Sequence, residues 1–65
     1  MEWDFLDTLG YVIVYRFDIT DLGDAEYYEV LDEDDDVIGR IFDPYVDFDD
    51  MTIDEVREYV EDNLE

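Results

Sequence analysis

The chain contains no cysteine, no histidine, no lysine and no serine, and only one proline and three glycines in 65 residues. Without cysteine there is no disulfide, no thiolate metal site and no thiol nucleophile. Without histidine, the usual general base and the commonest metal ligand are missing. Serine is absent too, and the sequence shows no nucleophile–base pair. Positive charge is almost as scarce. Arg16, Arg40 and Arg57 are the only cationic side chains, too few for a nucleic-acid footprint. No apolar run approaches the roughly 20 residues needed to cross a bilayer. The opening Met1-Glu2-Trp3-Asp4 lacks the basic region of a secretory signal. The expected compartment is the cytoplasm.

What is abundant is acid. Twenty-three residues are Asp or Glu, and the formal net charge is -20. Compaction concentrates like charge, and self-repulsion then opposes the folded state. Disordered acidic chains are poor in aromatic and β-branched residues, but this one is 48% hydrophobic and 17% aromatic. Its apolar residues also fall in patterned blocks. A single small folded domain over residues 1–65 is expected, near the lower size limit for folding without staples.

The fold class expected is α+β. In Glu2 to Leu9, the spacing of Trp3, Leu6 and Leu9 predicts a short N-terminal helical turn capped by Gly10; a strand displaying Trp3 and Phe5 is the alternative. Tyr11 to Ile19 is β-branched and aromatic, and its lack of charge before Arg16 places it centrally in a sheet. Turn chemistry over Thr20 to Asp24 leads to a second strand, Ala25 to Leu31. An acidic tip, Asp32 to Asp36, leads to a third, Val37 to Phe42, ended at Asp43-Pro44. Thr52-Ile53-Asp54-Glu55 fits a capping box, with Met51 and Val56 placed as a hydrophobic staple. Ile53, Val56, Val60 and Leu64 then recur on one helical face, flanked by Tyr59. These elements make a three-stranded antiparallel sheet with a C-terminal amphipathic helix packed on one face.

The charge falls in clusters. Asp54, Glu58, Glu61 and Glu65 form a row opposite the helix stripe, with Glu55 and Asp62 beside it. Like charges four residues apart destabilise a helix by a few tenths of a kcal/mol per pair, and Arg57 offsets only part. Asp43, Asp47, Asp49 and Asp50 run into the helix start, and Asp32, Glu33, Asp34, Asp35 and Asp36 share the hairpin tip. Asp18, Asp21, Asp24, Glu26 and Glu29 decorate the first hairpin. Carboxylate faces are commonly just solvated surface, and most aromatic rings are core. Yet six tyrosines and one tryptophan are also the side chains that anchor interfaces, and Tyr45 lies within the acidic loop. The partner-binding residues expected are those of the helix row, the loop and the tip, with Tyr45.

Sharper chemistry fails on detail. Asp32, Asp34 and Asp36 match the start of a calcium loop, but Val37 replaces its required Gly and Asp43 its bidentate Glu. Paired carboxylates doing acid/base work need a cleft that separates their pKa values, and a chain this short offers little room for one. No enzyme activity, metal or cofactor is expected.

Small size, extreme acidity, absence of lysine and an α+β pattern with aromatic residues resemble the phage-encoded DNA-mimic inhibitors, which include acidic anti-CRISPR proteins and inhibitors of restriction enzymes and uracil-DNA glycosylase. The resemblance covers the whole chain in character, with no shared motif, so no functional residue carries over. It implies a monomeric inhibitor in the host cytoplasm that occupies the nucleic-acid-binding surface of a host-defence complex, such as a CRISPR surveillance complex. Two other readings stay open: a halophile's small domain, whose acidic surface holds hydration in high salt, and a generic acidic module for a basic partner.

Overall fold

The computed structural model describes residues 1–42 and 46–65. Four strands, β1 (Glu2–Phe5), β2 (Tyr11–Thr20), β3 (Gly23–Leu31) and β4 (Val37–Ile41), form an antiparallel sheet in sequence order. Among the described residues, a 3-10 turn, Phe48–Asp50, and one helix, α1 (Ile53–Asn63), follow the sheet. The architecture is α+β, with four strands where three were expected.

The added strand is β1, in place of the expected helical turn. Trp3 pairs with Ile13 and Phe5 with Tyr11 on the core side, while Glu2 and Asp4 point to the opposite face. That alternation has the two-residue period of a strand. Eight residues cannot hold a helix alone in water, whereas the edge of β2 supplies ready backbone partners. Gly10 does take a positive φ of 83°, closing the turn in which Phe5 O accepts from Leu9 and Gly10 N–H.

One sheet face is covered. Ile13, Tyr28, Val30 and Ile41 pack with Phe48, Val56 and Val60 as the buried core. Trp3, Tyr28 and Phe48 meet edge-on, with centroids 5.0–5.5 Å apart. The capping box forms as the sequence predicts: Glu55 N–H donates to Thr52 Oγ1, and Thr52 N–H to Glu55 Oε1. Met51 packs against the core beside it. Ile53, expected on the buried stripe, is instead exposed at the first turn.

β4 departs from regular pairing. Val30 pairs with Gly39 but Leu31 with Val37, so Ile38 is an extra residue, a bulge that bends the strand. Its outer edge is closed by the chain's last residue, since Arg40 and Glu65 exchange both backbone hydrogen bonds at 2.9 and 2.8 Å. Leu64 then lies over Gly39, whose missing side chain makes the room. At the other end, β2 and β3 run past their neighbours and project as a two-stranded arm. There Ile19 and Leu22 are exposed, and Gly23 turns the chain at φ +124°.

A Cβ on Gly39 would stand 2.7 Å from Leu64 Cγ and 2.9 Å from Glu65 O. Gly39→Ala is expected to lower the unfolding free energy by about 1–2 kcal/mol by overpacking, read as an earlier midpoint in urea.

Candidate acidic interface

The cations decide where the acid is felt. Alternation along β2 and β3, fixed by the pairing of Val14 with Glu29 and of Arg16 with Tyr27, puts Arg16 and Glu29 on the uncovered sheet face. Arg40 stands opposite Glu29 on β4. Glu29 receives both guanidiniums, Arg16 Nε at 2.8 Å on Oε1 and Arg40 Nε at 3.2 Å on Oε2. Sequence reading counts Glu29 among the displayed anions; it is instead 8% exposed, a clamp between two cations. The same bond holds the Arg16 guanidinium above its ordinary pKa. Two of the three arginines are thereby confined to the open sheet face. The third, Arg57, bonds Asp54 at 2.9 Å on α1.

The helix side is different. Asp47, Asp49 and Asp50 in and before the 3-10 turn, then Asp54, Glu55, Glu58, Glu61 and Asp62 on α1, are all exposed. Only Arg57 stands among them. Asp47 caps the 3-10 turn by accepting from Asp49 N–H, and Asp49 Oδ1 accepts from the Trp3 indole at 3.0 Å. These carboxylates are therefore held in place by the fold. In the predicted row, Asp54 is paired with Arg57, Glu58 and Glu61 face solvent, and Glu65 falls beyond the helix at the β4 edge. The row is shorter than the periodicity implies because the last turn unwinds to make the backbone pair with Arg40.

The tip lies elsewhere. Asp32 is half-buried, and its Oδ1 accepts from Asp34 and Asp36 N–H; Asp35 takes a φ of 64°. Asp32 thus builds the turn, while Glu33, Asp34, Asp35 and Asp36 display charge at the end of the sheet away from the arm. Asp18, Asp21, Asp24 and Glu26 line the arm, with Asp18 Oδ2 accepting from the Tyr27 hydroxyl at 2.9 Å. Asp43 and Tyr45 lie outside the described residues. The structure brings the helix row and the Asp47–Asp50 loop together and leaves the tip apart. Sequence reasoning missed the Glu29 clamp and the Trp3–Asp49 bond. Both depend on strand register, which no local motif announces.

No helix among the described residues is long and apolar enough to cross a membrane. Compared with known proteins, the chain matches no family model, no curated protein and no solved structure.

Two consequences can be measured. Glu29→Ala leaves two guanidiniums on the sheet face without their carboxylate. Both are half-exposed, so the loss is expected to be about 1–2 kcal/mol of stability, read by chemical denaturation. The second concerns alkaline pH. Tyr11, Tyr27 and Tyr28 hold their phenol protons above the ordinary value of 10.0. Burial is the main cause at Tyr11, whose hydroxyl has no hydrogen-bond partner among the described residues, and at Tyr28. At Tyr27 it is the bond to Asp18. Raised folded values mean that the neutral phenols favour the fold below pH 10.0, and this contribution is lost as pH climbs through the folded values. Circular dichroism across that range is expected to show stability falling, and Tyr27→Phe to flatten part of the fall.

Proposed function

We propose that this protein is an inhibitor that acts as a DNA mimic, presenting the helix side to the positively charged nucleic-acid-binding surface of a host-defence complex. A CRISPR surveillance complex is the partner class put first. The observation that carries the reading is the partition of charge. Arg16 and Arg40 are gathered on Glu29 at the open sheet face, so the helix side keeps its carboxylates against a single guanidinium. Scale also supports it. Duplex DNA carries one charge per roughly 1.7 Å of axis, so twenty charges correspond to about 34 Å of duplex. The molecule's longest dimension is 38 Å.

In this reading no reaction is catalysed and no nucleic acid is bound directly. A monomer in the host cytoplasm attracts the basic groove by long-range steering. The inhibitor occupies residues that otherwise neutralise phosphates.

A second reading has an observation of its own. Carboxylates also cover the arm and the tip, at opposite ends of the sheet, farther apart than one flat interface needs. A halophile's domain, acidic all round to hold hydration, accounts for those as well. The two part on salt.

The test is displacement of labelled duplex DNA from purified CRISPR surveillance complexes and restriction enzymes, at low and high salt, beside circular dichroism at the same salt concentrations. Mimicry predicts a chain folded at physiological ionic strength, near-stoichiometric displacement, and loss of inhibition as salt rises. Glu58→Gln with Glu61→Gln is expected to weaken inhibition about tenfold. A chain that folds only in molar salt, or one that displaces DNA from none of these targets, sinks the proposal.

A further inference from the structure

We infer that a depression on the helix side of the sheet, between β1 and the 3-10 turn, receives one arginine side chain of the basic partner. The inference rests on the reading that the protein binds a cationic surface, and adds a defined socket to it.

The depression encloses about 290 Å³ and is walled by Trp3, Tyr15 and Tyr28, with Met1, Val46, Asp47 and Asp49 completing its lining. Strand alternation assembles the walls: Trp3 on β1 and Tyr15 on β2 both lie on the covered face, and Tyr15 pairs directly with Tyr28 on β3. Trp3 and Tyr28 meet at 90° with centroids 5.5 Å apart, and Tyr15 and Tyr28 at 66° and 5.9 Å. The Tyr28 hydroxyl donates to Val46 O at 3.1 Å, which fixes that ring against the loop. The two carboxylates are oriented as firmly. Asp49 Oδ1 accepts from the Trp3 indole N–H at 3.0 Å, and Asp47 Oδ1 from Asp49 N–H at 3.0 Å.

Aromatic walls with anionic groups beside them select a cation. A ring attracts a cation held within about 6 Å of its centroid, and the attraction grows as water is excluded. An anion is repelled here, and a neutral apolar group leaves both carboxylates unanswered. The chain's own guanidiniums are engaged elsewhere, Arg16 and Arg40 with Glu29 and Arg57 with Asp54. Between the two common cationic side chains, the geometry favours arginine. Its planar guanidinium stacks on rings and offers a fork of N–H donors to carboxylates, whereas the lysine ammonium is a compact, strongly hydrated point charge.

Trp3 is the chain's one tryptophan and forms a wall of this socket, so its indole carries a signal from the site. The experiment titrates the whole protein with N-acetylarginine amide, following Trp3 emission and the indole N–H resonance. N-acetyllysine amide and sodium chloride at matched ionic strength form the comparison arms. Arginine amide is expected to give a saturable response, with weaker binding by the lysine amide. Asp47→Asn with Asp49→Asn is expected to weaken arginine binding about tenfold; asparagine keeps an oxygen for each existing hydrogen bond, so the turn is retained. Asp21→Asn with Asp24→Asn, exposed on the arm, leaves the titration unchanged. A response no greater than that to salt, equal binding of the two amides, or indifference to the Asp47 and Asp49 changes overturns the inference. No target enters this titration, so its failure leaves DNA displacement standing, and failed displacement leaves the socket to be judged by its own result.

Discussion

Repulsion among carboxylates is the constraint under which every other feature of this molecule has to work. A net charge of -20 over 4679 Å² of surface is about one charge per 230 Å², so repulsion within a Debye length of about 8 Å at physiological salt is concentrated in the clusters, while pairs across the molecule are screened. Against this stands a small core, seven buried apolar residues among those described. The fold relieves the strain where it can. Glu29, the one buried carboxylate among the described residues, is bracketed by two arginines, and Asp32, Asp47 and Asp49 are tied to backbone or indole N–H groups.

That relief is unevenly distributed, and the unevenness gives the molecule its sides. The open sheet face holds two of the three arginines on Glu29, while the helix side keeps its carboxylates against Arg57 alone. Had Arg16 and Arg40 stood beside Arg57 on α1, the net charge would be the same but the helix side would be less anionic. The aromatic cluster joins the two layers. Trp3 and Tyr28 pack on Phe48 from the sheet, and the Trp3 indole reaches Asp49 in the loop that leads to the helix. Core packing and the placement of surface charge are therefore coupled at one tryptophan.

Much of this was legible in advance. The central strand from Tyr11, the acidic tip, the capping box at Thr52 and the buried pair Val56 and Val60 each rest on a local pattern, period two or period 3.6, or on cap chemistry within four residues. Glu2 to Phe5 forms the strand that the sequence offers second to a helical turn, because Trp3, Leu6 and Leu9 match a helical spacing while the deciding partner, β2, begins only at Tyr11. Glu65 was placed on the helix row because periodicity carries no signal that the final turn will unwind to pair with Arg40. Within the acidic surface, the individual anions were visible, but not which of them are already engaged.

Composition alone determined that the molecule is strongly anionic, without thiol or imidazole chemistry, and rich enough in aromatic and β-branched residues to form strands and one amphipathic helix. These are sums and short-range periodicities, so a linear text contains them. Only the tertiary structure decided that Arg16 and Arg40, 24 positions apart in the chain, meet on Glu29, and that Trp3 meets Asp49 from 46 residues away. Both follow from register and from the crossing of the helix over the sheet. Those are collective properties of packing, set by which apolar faces bury together, and no single segment encodes them.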